Sequence, residues 1–154
     1  MFKHYAEFLA LTLATSTLTL SHAALAGQQL ALLDAKSITV EEWDKKDGTM
    51  GLGLSAETIK TGEISFAVEN KTEMKMTHEI LIVPKPKDIG SLALVADGTK
   101  LDEEKLDGLK EVVELEPGEA KSKLVFLAPG EYLVFCNQVG HFAAGMHRIL
   151  TVTP

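Results

Sequence analysis

The sequence predicts an all-β protein, an antiparallel β-sandwich of seven to eight short strands with one short helix in an insertion. Three observations carry this reading. Short runs rich in β-branched residues alternate apolar and polar positions. Turn signals such as Lys45-Lys46-Asp47-Gly48 and Ala128-Pro129-Gly130 separate them. The chain has 154 residues, 45% of them hydrophobic, which suffices for one domain with a real core.

Taken in order, Ser37 to Trp43 alternates and reads as the first strand. Leu52, Leu54 and Ile59 belong to a second extended stretch that ends at Thr61-Gly62. Glu63 to Glu69 places Ile64, Phe66 and Val68 on one face, as a half-buried strand does, and Asn70-Lys71-Thr72 breaks it. His78 to Val83 is the next strand, ended by Pro84 and Pro86. Between Lys85 and Pro117 the pattern changes. Ser91 to Val95 suits a short strand, and Asp102 to Lys110 suits a short helix with Asp102 as N-cap and acids in its first turn. Gly108, within that stretch, is a poor helix former. Glu119 to Leu127 and Glu131 to Cys136 are strands, the latter with Tyr132, Val134 and Cys136 on one face and Leu133 and Phe135 on the other. His147 to Thr153 closes the chain as a last strand.

The N-terminus predicts export. Lys3 and His4 precede an apolar run from Leu9 to Leu20, and Ala24-Leu25-Ala26 supplies a small-x-small cleavage site. The run is short for a bilayer span. The expected organisation is a signal peptide over 1–26 and one domain over 27–154, exported or periplasmic, with no transmembrane segment after cleavage. Formal net charge is −7, with a pI near 5.2. No basic stripe is present, so nucleic acid is excluded as a partner. An acidic surface suits a basic partner through long-range steering.

The single cysteine rules out an internal disulfide, and an odd thiol in an exported chain is an intermolecular bridge, a reactive group or a ligand. Its surroundings favour the last. Cys136-x4-His141-x4-Met146 places a thiolate, an imidazole and a thioether on one loop, with Gly140 and Gly145 permitting tight turns. Taken singly, a buried Cys, a gap-filling Met and a polar His at a strand start each have ordinary structural roles. Together they point to a metal. Of the histidines beyond the leader, His78 sits at a strand start where it can meet this loop, and is the natural fourth ligand. His147 follows Met146 directly, so on a strand it points the other way and reads as a surface or supporting residue. Zinc favours closed tetrahedra without thioether, and an iron–sulfur cluster needs more cysteines. Copper accepts one thiolate, two imidazoles and a distant thioether in both oxidation states.

The chain resembles the cupredoxins, small blue-copper proteins of the plastocyanin/azurin type. Thr61 to Asn70, the Pro129-Gly130-Glu131-Tyr132 to Cys136 strand and the Gly140-His141 to Gly145-Met146 loop carry the resemblance. It covers roughly residues 37–83 and 117–154, and the spacing of the ligand loop is most like rusticyanin. The resemblance implies a Greek-key sandwich and a mononuclear type 1 copper held by His78, Cys136, His141 and Met146. It also implies an electron leaving through a partly exposed His141 ringed by Phe142 and Ala143. Glu79 stands where many members have Asn tying the two ligand loops together. Glu79, Asn137, Phe142 and Met76 are the neighbours expected to tune the site. Met74, Met76 and His78 would share a face if that strand began early. The implied role is one-electron transfer, without substrate turnover, to a redox protein such as a c-type cytochrome or an oxidase docking near His141. The alternative is an exported copper carrier or resistance protein. A copper enzyme fits poorly, because a second copper centre needs more histidines than His147 provides.

Overall fold

The computed structural model describes residues 36–154. The expected signal peptide and the lead-in from Gln28 to Ala35 lie outside these residues. Among these residues, nine strands form two facing sheets. One holds β1 (Lys36–Asp44), β2 (Met50–Leu54), β4 (Gly62–Thr72) and β7 (Ala120–Leu127), in the order β2-β1-β4-β7. The other holds β3 (Thr58–Lys60), β5 (His78–Pro84), β6 (Lys110–Leu115), β8 (Gly130–Phe135) and β9 (His147–Thr153), in the order β3-β9-β8-β5-β6. No helix among the described residues is long and apolar enough to cross a membrane.

The sandwich is as the alternation predicts. Ile38, Val40, Ile64, Phe66 and Val68 point inward and meet Ile80, Ile82, Val134, Cys136, Met146 and Leu150 from the opposite sheet. Burial of such apolar surface supplies most of the stabilisation, on the order of 25 cal/mol per Å². The strands are not all antiparallel: β1 runs parallel to β4, and β3 parallel to β9. Strand periodicity carries face and not direction, so the pairing sense was not legible in it.

The segment from Lys85 to Pro117 departs most from expectation. The helix over Asp102 to Lys110 does not form. A single 3₁₀ turn, Glu103–Lys105, stands there, and Asp102 makes no side-chain cap. Ser91 to Val95 is not a strand: Ile89–Ser91 is a 3₁₀ turn, and only an isolated bridge joins Leu94 to Leu101. Residues from Lys110 onward become β6, an added strand beside β5. The reason is tertiary. β8 is apolar on both faces, so Leu133 and Phe135 need a cover. Leu101 and Leu106 supply it, packing with Leu81 and Val83, and Ile89, Leu92 and Leu109 flank them. The insertion therefore folds as a lid over the outer face of the second sheet. Gly108 adopts φ +74, a left-handed conformation that ends any helix and turns the chain into β6.

Leu101 is nearly fully buried in this second cluster. Truncation to Ala removes its packing and leaves its backbone bonds in place. It should lower stability by about 2–5 kcal/mol, measured as a reduced urea midpoint with unchanged slope.

Candidate metal centre

The site is built where β8 stops. The β8–β9 ladder pairs Phe135 with His147 and continues one step, the Cys136 amide donating to the Met146 carbonyl at 3.0 Å. Cys136 and Met146 thus lie opposite each other, and both side chains enter the inner core. Between them the loop folds back. The His141 amide donates to Gln138 O, and the Met146 amide donates to His141 O at 3.1 Å. Gly140 and Gly145, at φ +81 and +94, make the two turns that this requires.

His78 enters from the first residue of β5. The loop before it is held by Asn70, whose side-chain amide donates to Met76 O, Leu115 O and Glu116 O at 2.9, 3.1 and 3.3 Å. Lys75 at φ +60 breaks the chain just ahead of β5. Met74, Met76 and His78 therefore do not share a strand face, and Met74 is exposed.

Three donor atoms converge. His78 Nδ1 and His141 Nδ1 are 3.1 Å apart, and Cys136 Sγ lies 3.8 Å from the first and 3.4 Å from the second. A metal about 2.0–2.3 Å from each donor in tetrahedral geometry spaces its ligands roughly 3.3–3.6 Å apart. The three atoms thus have the spacing of a ligand set. His78, Cys136 and Met146 are 0% exposed and His141 is 6% exposed, so His141 is the member that reaches the surface.

The protonation states suit a metal. Burial lowers both histidines below their ordinary range; the neighbouring His78 adds to this at His141, and Asp44 opposes it at each. Asp44 Oδ2 lies 3.0 Å from His78 Nε2. A carboxylate there takes the Nε2–H and leaves the Nδ1 lone pair facing the other donors. Burial opposes ionisation of Asp44, but hydrogen bonds from Thr72, His78 and the Met74 amide outweigh it and hold the acid below its usual range. Cys136 is pushed up to about 12, first by burial and then by Glu42, against hydrogen bonds from the Glu79 and Gln138 amides. The Glu79 amide lies 3.4 Å from Sγ.

The expected supporting residues take distinct places. Glu79 ties the two loops together, through its backbone amide and not its side chain. Its carboxyl is half-buried and faces Glu103, Glu114 and Glu111; burial first, then these acids, push it up to about 7, against Lys100. Asn137 is fully buried and anchors the insertion: Oδ1 accepts from Leu101 N at 2.8 Å, while Nδ2 donates to Leu101 O and to Glu103. Phe142 stacks on His147 at 4.9 Å and meets Phe135 edge-on at 5.7 Å. Met76 sits in the loop before β5, its carbonyl held by Asn70.

Two acids on β1 escaped the sequence reading. Glu42 and Asp44 continue the inward series Ile38, Val40, and both are buried. Two carboxylates at core-facing positions of an alternating strand were the signal. Asp44 reaches His78. Glu42 faces the Cys136 thiol, yet neither of its oxygens has a hydrogen-bond partner. Burial above all pushes Glu42 up to about 9, with Cys136 opposing and Glu79 adding to the rise.

No protein-family model matches the sequence, and none of the curated proteins does. Solved structures do. Auracyanin B is 24% identical with a TM-score of 0.53, over 75% of this chain and 88% of that one. Dithionite-reduced auracyanin from the photosynthetic bacterium Roseiflexus castenholzii is 23% identical with a TM-score of 0.50, over 75% and 97%. Rusticyanin from Thiobacillus ferrooxidans is 15% identical with a TM-score of 0.50, over 78% and 79%.

Two outcomes follow from this geometry. Asp44→Ala should weaken metal binding about 10–100-fold, read by chelator competition; unchanged affinity would remove Asp44 from the site. Metal uptake must also displace the Cys136 proton, because the thiol titrates near 12. Both histidines are already neutral near pH 7, so one proton leaves per metal. Affinity should therefore rise about tenfold per pH unit between pH 7 and 9.

A buried His-Cys-His cluster at one end of a two-sheet β-sandwich, shared in architecture with auracyanin and rusticyanin, identifies this chain's fold as the cupredoxin fold.

Proposed function

We propose that the protein is an exported one-electron carrier with a single type 1 copper, held by His78, Cys136, His141 and Met146. The observation that carries this reading is the convergence of two imidazole nitrogens and one thiol sulfur within 3.8 Å in a buried pocket. One thiolate and two imidazoles, with a thioether nearby, are the donors of a blue-copper centre. Met146 supports the fourth position because it pairs with Cys136 and shares the inner core with it.

A bound copper would supply the redox couple, and the chain's own residues would do the rest. Asp44 fixes the His78 ring. The Glu79 amide supports the thiolate. The Cys136–Met146 pairing and the Asn70 bonds hold both ligand loops in place whichever oxidation state is present. A frame that barely moves keeps the reorganisation on electron transfer small. His141 gives the electron its exit, beside exposed Val139, Gly140, Ala143 and Ala144. An apolar rim of this kind suits brief docking of a redox protein such as a c-type cytochrome or an oxidase. Similarity to an auracyanin studied in dithionite-reduced form supports a redox role. Export rests on the leader read from residues 1–26.

Purified protein lacking residues 1–26, given Cu(II), should develop an intense visible thiolate-to-copper band, and Cys136→Ser should abolish it. A colourless copper complex would overturn the type 1 reading. Retention of copper against chelators with fast electron exchange with a cytochrome supports electron transfer. Ready surrender of copper without electron exchange would instead make the protein a copper carrier.

A further inference from the structure

The loop between β8 and β9 is held from outside the sandwich as well as by the ladder. Its outer partner is a hairpin of the insertion, over residues 93–102. The Asp102 amide donates to Ala93 O at 2.9 Å and the Val95 amide to Lys100 O at 3.0 Å, with Leu94 opposite Leu101 between them. At the tip, Asp97 Oδ1 accepts from the amide and the hydroxyl of Thr99, at 3.0 and 2.7 Å. These hairpin bonds use Lys100 O and Asp102 N. Leu101 therefore turns its own N–H and C=O the other way.

Asn137 meets them. Its Oδ1 accepts from Leu101 N at 2.8 Å, and its Nδ2 donates to Leu101 O at 3.1 Å and to Glu103 Oε1 at 2.8 Å. A side-chain amide has one acceptor oxygen and two N–H donors, and all are used here. The side chain is 0% exposed and takes the place of a paired strand residue. A further bond runs from the Gly140 amide to Thr99 O at 2.8 Å. The two clamp points have a common feature. Asn137 follows Cys136 and Gly140 precedes His141, so each adjoins a candidate donor. Between them the His141 amide donates to Gln138 O, which closes the loop on itself.

An apolar cover for Leu133 and Phe135 needs none of these bonds. We propose that Asn137 is a positioning residue for the metal centre: it couples the insertion hairpin to the loop carrying Cys136 and His141, so that the donors keep one geometry in both oxidation states. The inference rests on the copper reading above and deepens it. A donor set is only as well held as the residues behind it are locked by packing and hydrogen bonds. One-electron transfer is slowed by whatever movement the change of charge forces on the ligands. The β8–β9 ladder fixes Cys136 and Met146, but His141 lies between them on the loop and is the donor that reaches the surface. The hairpin supplies the restraint there.

Asn137→Ala removes the clamp and leaves the cover. Leu106→Ala thins the cover, where Leu106 packs with Leu133 and Phe135, and leaves the clamp. In the metal-free protein, the Gly140 amide of Asn137→Ala should exchange with deuterium about tenfold faster than in the parent, because opening the loop no longer breaks the Asn137 bonds. With copper bound, the same variant should show a shifted or broadened visible band. Its electron self-exchange, between reduced and oxidised copies, should slow about tenfold. Leu106→Ala should melt earlier than the parent and keep the parent's Gly140 exchange, band and self-exchange rate. If Asn137→Ala does not fold, Glu103 reads the same clamp. Glu103→Ala deletes an acceptor of Asn137, Glu103→Gln keeps an oxygen in its place, and both remove the same charge. Gly140 exchange should quicken about threefold in the first and stay at the parent's rate in the second.

Unchanged Gly140 exchange in Asn137→Ala, or equal changes in Leu106→Ala, would overturn the proposal and leave the insertion as a cover. Faster Gly140 exchange with an unchanged self-exchange rate would overturn it too, since the clamp would then serve the loop and not the centre. So would Glu103→Gln behaving as Glu103→Ala does. Absence of a visible band in the parent protein would instead overturn the copper reading, whatever the amide exchange shows.

Discussion

The loop that carries Cys136, His141 and Met146 depends on one backbone hydrogen bond, from the Cys136 amide to the Met146 carbonyl. It extends the β8–β9 ladder one step beyond the regular strands, so Cys136 and Met146 lie side by side facing the core. The residues between them must then form a closed loop, and the turns at Gly140 and Gly145 bring His141 back over the sulfur. His78 is fixed independently, from the other ligand loop, by Asn70 and by the β5–β8 pairing of Leu81 with Phe135. The pocket is thus assembled by the same ladders that assemble the sheet. That is the physical reason its donors stand 3.1–3.8 Å apart before any metal is considered.

The second constraint is electrostatic. Several titratable groups share a space with little water, and each has a different solution. The histidines remain neutral. Asp44 ionises, because a hydroxyl, an imidazole and a backbone amide all serve its oxygens. Glu42, two residues earlier on the same face, has none of these and stays protonated. Two acids on one strand take opposite forms, because burial dominates at Glu42 while hydrogen bonds and the neighbouring His78 outweigh it at Asp44. The interior polarity is therefore organised around the donor cluster rather than scattered through the core.

The insertion between β5 and β7 answers a packing problem. β8 carries Leu133 and Phe135 on the face that a simple two-layer sandwich would leave wet. The insertion covers them, and Asn137 joins that cover to the ligand loop through the Leu101 backbone. Sequence pattern alone favoured a helix over Asp102 to Lys110, because its acids and Lys110 sit where a helix dipole wants them. The demand for apolar cover overrode that local preference.

Most of the sandwich was legible in the sequence, because period-two alternation in Glu63 to Glu69 and Glu131 to Cys136 reports directly which side chains face a core. The candidate loop stood out because its possible donors, Cys136, His141 and Met146, are chemically rare and close in the chain. His78 could be nominated from its place at a strand start. The direction of β1 against β4, the added strand β6 and the lid were decided only by tertiary structure, since pairing sense and cover are non-local. So were the partners of these candidate donors. Glu42 and Asp44 lie far from Cys136 and His78 in sequence, and only the closing of one sheet on the other sets them together. The sequence by itself determined which atoms could bind a metal; the tertiary structure decided what surrounds them, because that environment is made by residues from the opposite sheet.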